Sequence, residues 1–140
     1  MVIPFFAFGY QAWNRNIENK GAIGTDEFYH SGLFGGGLKI DAPLTPTLVA
    51  SVTGEMMALV GSGIALNNFG VTHSMGVSAE ERIALGLDQD VRGPYHITGT
   101  LFYEHFNYAG YRATPNTLFL YEPLSTTTQF GANIGFAYSF

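Results

Sequence analysis

Cysteine is absent, which excludes a disulfide scaffold, a thiol nucleophile and a thiolate zinc site. Cations are scarce too. Six Lys and Arg against eleven Asp and Glu leave a net charge of -5, so no basic surface exists for a phosphate backbone, and nucleic acid is not expected as a partner. Charged residues of both signs make up only 12% of the chain, against about 25% in an ordinary soluble domain. That is too few to coat a typical water-facing surface. No stretch approaches the roughly 20 consecutive apolar residues of a membrane-spanning helix, because Glu, Asp, Asn, Ser, Thr or Gly interrupts every run. Nor does the start read as a secretory leader. Met1 is followed at once by Val2-Ile3-Pro4-Phe5-Phe6, with no basic region, apolar core and small-residue cleavage site.

What is present is 46% hydrophobic and 15% aromatic residues, with 18 glycines spread through 140 positions. A chain that is apolar overall without long apolar runs suits the second structure a bilayer admits, a closed β-barrel with lipid-facing and lumen-facing residues in alternation. A soluble lipocalin-like barrel is the competing architecture, and it would partition into buffer without detergent.

Alternation is clearest at the C-terminus. Phe130, Ala132, Ile134, Phe136, Tyr138 and Phe140 share one face, and Gly131, Asn133, Gly135, Ala137 and Ser139 the other. Over 48–60, Leu48, Ala50, Val52, Met56, Ala58 and Val60 oppose Ser51, Thr53 and Glu55, with Met57 and Leu59 blurring the second face. Over 75–87, Met75, Val77, Ala79, Ile83, Leu85 and Leu87 oppose Ser78, Glu80, Arg82 and Gly86; Glu81 breaks the apolar side, marking either a membrane edge or a slip in register. Three further strands are expected at 2–13, 28–41 and 95–108 from their aromatic, β-branched and glycine content. The run Gly35-Gly36-Gly37 reads as sheet wall, where glycine allows close backbone approach or a bend.

The connections alternate in length. Segments 14–27, 61–74 and 109–127 are long, whereas 42–47 and 88–94 are short and contain Pro43, Pro46 and Pro94. Short periplasmic turns and long external loops are the habit of bacterial barrels, which puts the short turns and both termini on the periplasmic side. The expected fold is all-β, with 1–140 a single domain or the C-terminal part of one, an antiparallel up-and-down transmembrane barrel with about six strands in this chain. Six is below the eight at which single-chain barrels begin. The ring is therefore expected to be completed by N-terminal strands missing from this chain or by other chains.

The segment 131–140, Gly-Ala-Asn-Ile-Gly-Phe-Ala-Tyr-Ser-Phe, resembles the C-terminal β-signal of outer-membrane proteins, with Phe136, Tyr138 and Phe140 at its aromatic positions. Segments 4–15 and 121–127 are similar to parts of small, uncharacterised proteobacterial outer-membrane β-barrel proteins, in which further strands come first. The resemblance implies residence in the bacterial outer membrane. It also implies contact with its lipid and lipopolysaccharide, reading of the signal by the barrel assembly machinery, and association with other envelope proteins or further copies. It implies no activity.

Glu104-His105-Phe106-Asn107 loosely resembles the histidine strand of lipid A deacylases, but that family requires a serine two residues after the histidine, where this chain has Asn107. Without a hydroxyl there the acyl-transfer mechanism lacks its nucleophile. His30-Ser31 and His73-Ser74 are adjacent residues that point to opposite strand faces. The four histidines show no ligand spacing, so neither metal nor cofactor is expected, and no catalytic residue is assigned. Glu55, Glu80, Arg82 and Glu104 fall on one inward face, as an ion-pair network or as the acidic lining of a small diffusion pore. Tyr10, Trp13, Tyr95, Tyr103, Tyr108 and Tyr111 lie near strand ends, where interface girdles form. The function expected is a non-enzymatic barrel that anchors or presents external loops, with a pore or a lipid A-modifying hydrolase as alternatives.

Overall fold

The computed structural model describes residues 1–17, 25–66, 70–112, 121–122 and 124–139. They form nine β elements: β1 Val2–Ile17, β2 Thr25–Thr45, β3 Leu48–Leu66, β4 Val71–Ser74, β5 Ser78–Arg92, β6 Tyr95–Tyr108, β7 Tyr111–Arg112, β8 Tyr121–Glu122 and β9 Ser125–Tyr138. The main sheet is antiparallel and up-and-down in the order β1-β2-β3-β5-β6-β9, with β4 on the outer half of β3; β7 and β8 pair separately. The fold is thus all-β with seven strands in one sheet. That sheet is open, because β1 and β9 are its two edges.

The strand expected at 75–87 begins three residues late, and most of the long loop expected at 61–74 is strand, as the end of β3 and as β4. Val71–Ser74 pairs with 63–66 of β3, the chain breaks at 75–77, and Ser78–Arg92 pairs with 48–59 of the same strand. Strands also outrun their apolar patterns. β1 continues through Asn14, Arg15 and Asn16, which pair with Phe28, Glu27 and Asp26, and β9 begins in the polar 125–129 opposite 104–108. Ladder pairing needs a partner backbone, not apolar side chains. The short connections accordingly shrink to turns at 46–47 and 93–94, the second with Gly93 at φ 61°, a conformation glycine takes at no steric cost.

Faces follow from register. Cross-strand partners lie on the same face, so Gly37, Glu55, Arg82, Glu104 and Gln129 form one inward row, with Phe5 at its β1 end. One bulge re-phases the sheet: Ser31 of β2 faces both Gly61 and Ser62 of β3, and Gly61 has φ 59°. Before it Met57 and Leu59 point inward; after it Ser62, Ile64 and Leu66 do, so the inner face survives the change of parity. The triple glycine is a close approach of strands. A Cβ on Gly35, Gly36 or Gly37 would collide with the carbonyl of Met56, Phe5 or Gly54 respectively.

Candidate functional site

The inner face has three levels. At the end opposite the short turns, Tyr29, Leu59, Ile64, Leu66, Met75, Phe106 and Tyr108 form the core, with Trp13 and Leu33 packed on it. Trp13 stacks on its cross-strand partner Tyr29 at 4.3 Å and lies 6.0 Å from Tyr108. The Tyr108 hydroxyl accepts hydrogen bonds from Gln11 Nε2 at 3.1 Å and Trp13 Nε1 at 3.3 Å, so β1 reaches β6 across the concave face. Above them Glu27 is buried and held by Arg15 (Nη2–Oε2 2.6 Å) and by the Tyr29 hydroxyl at 2.9 Å. Ser31 donates to Ser62 at 2.8 Å where the bulge brings both inside.

The middle level carries the charged residues the alternation pointed to. Glu55, Arg82, Glu104 and Gln129 are successive neighbours in one row, and Glu80 lies two residues above Arg82 on the same face. Arg82 Nε is 3.8 Å from Glu104 Oε2, its guanidinium lies over the Phe102 ring at 4.6 Å, and Gln129 donates to Glu104 Oε1. Glu80 is only 7% exposed and its Oε2 has no hydrogen-bond partner. Among the described residues three carboxylates of this level therefore share Arg82, and the next cation on the inner face, Lys39, is paired with Asp41. The third level, toward the short turns, holds Ser51, Thr53, Thr98 and Thr100 with the Lys39–Asp41 ion pair at 3.1 Å and an Asp88–His96 contact at 2.8 Å near its end.

The outer face is apolar. Phe6 and Phe8 are 92% and 90% exposed, and Phe136 and Ile134 are 85% and 84%. Tyr103 packs on Phe130 and Tyr95 on Tyr138 near the two ends of this band. Phe136 and Tyr138 of the terminal motif both lie here, whereas Phe140 is outside the described residues. Glu81 belongs to this face without any slip, since the β5–β6 register is continuous from Glu80 to Asp90. In register it stands opposite His105, whose Nδ1 is 3.0 Å from Thr128 Oγ1; no hydrogen bond joins Glu81 to His105 among the described residues. Asn107, beside them, accepts from Thr126 Oγ1 at 2.9 Å.

Three sequence expectations change. Trp13 and Tyr108 are inward core residues, not interface aromatics, because β1 and β6 curl toward each other. Met75 is 6% exposed in the core rather than on the outer face, because the break at 75–77 ends the alternation there. Of the expected girdle residues Tyr10, Tyr95 and Tyr103 remain on the outer side, and the Tyr111 side chain lies outside the described residues. Gln129 and the Arg15–Glu27–Tyr29 group were not anticipated. Their signal was available only as parity, each being in phase with a residue known to face inward. His30, His73, His96 and His105 are dispersed, and no group of three metal-ligating side chains occurs among the described residues.

No protein-family model matches this chain, and neither the curated proteins nor the solved structures contain a match to it.

Proposed function

We infer that this chain is the wall of a bacterial outer-membrane β-barrel, non-enzymatic, that anchors or presents the loops at its plugged end. The observation that carries this is the shape of the outer apolar band. On β6 it runs from Tyr95 to Tyr103 and on β1 it reaches Tyr10 from Val2, nine residues or eight residue steps in each case. The hydrogen-bonded row through Tyr103 meets β1 at Pro4, and the row through Leu101 meets it at Val2. The upper limit of the band thus drifts by six residues over the four strand steps between β1 and β6, from Pro4, in the row of Tyr103, to Tyr10. With about 3.3 Å per residue and about 4.8 Å per strand, a level band requires strands tilted by about 45°, close to the tilt of membrane barrels. At that tilt eight residue steps span about 20 Å of height, near the roughly 25 Å of a membrane barrel's apolar belt.

Glu81 then sits at the upper limit, next to His105, Thr128 and Asn107, where polar groups meet headgroups. The aromatic and aliphatic filling at the loop end supports a wall over a pore, since a conducting lumen needs that level open. The terminal segment resembles the signal read by the barrel assembly machinery, and this reading assigns that role to Phe136, Tyr138 and Phe140.

The test is fractionation of cells making the protein, followed by an alkaline carbonate wash and electrophoresis with and without boiling. The wall reading expects retention in the outer-membrane fraction and faster migration of the unboiled form. Recovery in the buffer-soluble fraction would overturn it in favour of a soluble barrel. Steady single-channel conductance that falls on Glu80→Gln or Glu104→Gln would replace the wall with the acidic pore.

A further inference from the structure

We propose that the inner cleft beside Trp13 and Phe106 binds a small primary amine, whose ammonium is accepted by the amide oxygens of Gln11 and Gln129 in the field of Glu80 and Glu104. The apolar body of the amine lies against the two rings. All six side chains belong to the inner face, so the site goes beyond the wall reading and does not depend on what the outer face meets.

The cleft has a volume of about 360 Å³ and is lined by Gln11, Ala12 and Trp13 of β1, Phe106 of β6, and Thr127 and Gln129 of β9. At about 30 Å³ for each non-hydrogen atom it has room for about twelve. Gln11 Nε2 donates to the Tyr108 hydroxyl at 3.1 Å and Gln129 Nε2 donates to Glu104 Oε1, which leaves the two carbonyl oxygens as acceptors for a ligand. The orientation at Gln129 is forced, because an ionised carboxylate has no proton to give an amide oxygen. Trp13 stacks one ring face on Tyr29 at 4.3 Å, on the β2 side, and the cleft lies on the other side of β1. Its second face is thus the one a ligand meets. Phe106, 5% exposed, supplies the second ring.

Charge selects a cation for this space. Glu104 stands beside Gln129 in register, and Glu80 is the cross-strand partner of Phe106, 7% exposed, with its Oε2 buried and without a hydrogen-bond partner among the described residues. Together with Glu55 they share Arg82. An anionic ligand would add to this excess where water is partly excluded, a neutral one would leave it unchanged, and an ammonium offsets it. A bare metal ion does not suit the arrangement, since no group of three metal-ligating side chains occurs among the described residues. Ring faces and amide oxygens are instead the partners of an organic ammonium. A primary ammonium brings three donors to these acceptors, whereas a trimethylated one brings none.

Four ligands with one apolar body test this on the full-length wild-type protein in nonionic detergent: phenethylamine, its N-trimethylated form, phenethyl alcohol and phenylpropionate. Binding is followed by calorimetry and by the emission of Trp13, the single tryptophan. The alcohol also measures uptake by the detergent. The expected result is saturable binding of the primary amine in the roughly millimolar range suited to about nine non-hydrogen atoms. It should be about tenfold tighter than the alcohol and about threefold or more tighter than the trimethylated form, with no binding of the carboxylate. Glu104→Gln, which keeps an acceptor for Gln129, is expected to weaken the amine about tenfold and leave the alcohol unchanged, a split that general misfolding would not produce. Several outcomes overturn the proposal: amine and alcohol binding equally, the trimethylated form binding as tightly as the primary amine, the carboxylate binding, a folded Glu104→Gln protein with unchanged amine affinity, or no saturable binding of any of the four, as when another segment or partner fills the cleft. Membrane retention is scored separately. Amine binding by a protein recovered in buffer would uphold the site while sinking the wall reading.

Discussion

Replacing Leu87 with arginine separates a lipid-facing wall from a water-facing sheet by the size of its effect. Leu87 is on the outer face of a central strand, 52% exposed, between cross-strand partners Ala50 and Gly99. Gly99 leaves open space on its own side, with no atom within 4 Å of a notional Cβ, so a longer side chain meets no steric barrier. What remains is solvation. In a band tilted as argued above, Leu87 lies close to mid-height, where an arginine on the lipid face costs about 2–4 kcal/mol. That is roughly a thirtyfold to thousandfold change in the unfolding equilibrium. Val77, 71% exposed above the band, supplies the control, because near the interface the same substitution costs about 0–1 kcal/mol. Urea titration of the protein folded into phospholipid vesicles measures both variants, and the single tryptophan reports on it well, since Trp13 is stacked on Tyr29 in the interior, far from either substitution. In a water-facing sheet both changes would stay within about 0.5 kcal/mol of wild type. Equal stability of Leu87→Arg and wild type, or an equal loss from Val77→Arg, would refute the reasoning.

Tyr108→Phe removes the acceptor shared by Gln11 and Trp13 and is expected to cost about 1–2 kcal/mol, with a shift in Trp13 emission as its indole N–H seeks another partner. Gly37→Ala drives a methyl group into the Gly54 carbonyl and is expected to lose about 1–3 kcal/mol, whereas Gly54→Ala enters open space and should be nearly silent; urea midpoints of the pair decide this. Arg15→Met leaves the buried Glu27 carboxylate without this cation though still bonded to Tyr29, and about 1–3 kcal/mol should go, most of it restored by adding Glu27→Gln, as a double-mutant cycle in the same assay would show.

The charged row illustrates how much of the candidate site was legible beforehand. Glu55, Glu80, Arg82 and Glu104 could be placed on one face by counting in twos within each strand, because side-chain direction along a strand is a local property. Their neighbour relations were not countable. Whether Glu104 meets Arg82 or slides past it depends on the offset between strands, and Gln129 enters the row only through the pairing of β6 with β9. Glu81 shows the same division: its outward side was readable, and the absence of a register slip beneath it was not.

By itself the sequence determined the class of fold, the six regions of strand and the side of the sheet on which most residues lie, since period-two patterning and turn residues act over a few positions. Tertiary structure alone decided that Gly61 re-phases β3, that 75–77 separates β4 from β5 with Met75 in the core, and that Trp13 meets Tyr108 across the sheet. It also decided that β1 and β9 stay apart. These outcomes depend on contacts such as Gln11 with Tyr108, 97 positions apart, whose formation follows from the curl of the whole sheet and leaves no trace in either residue's neighbours along the chain.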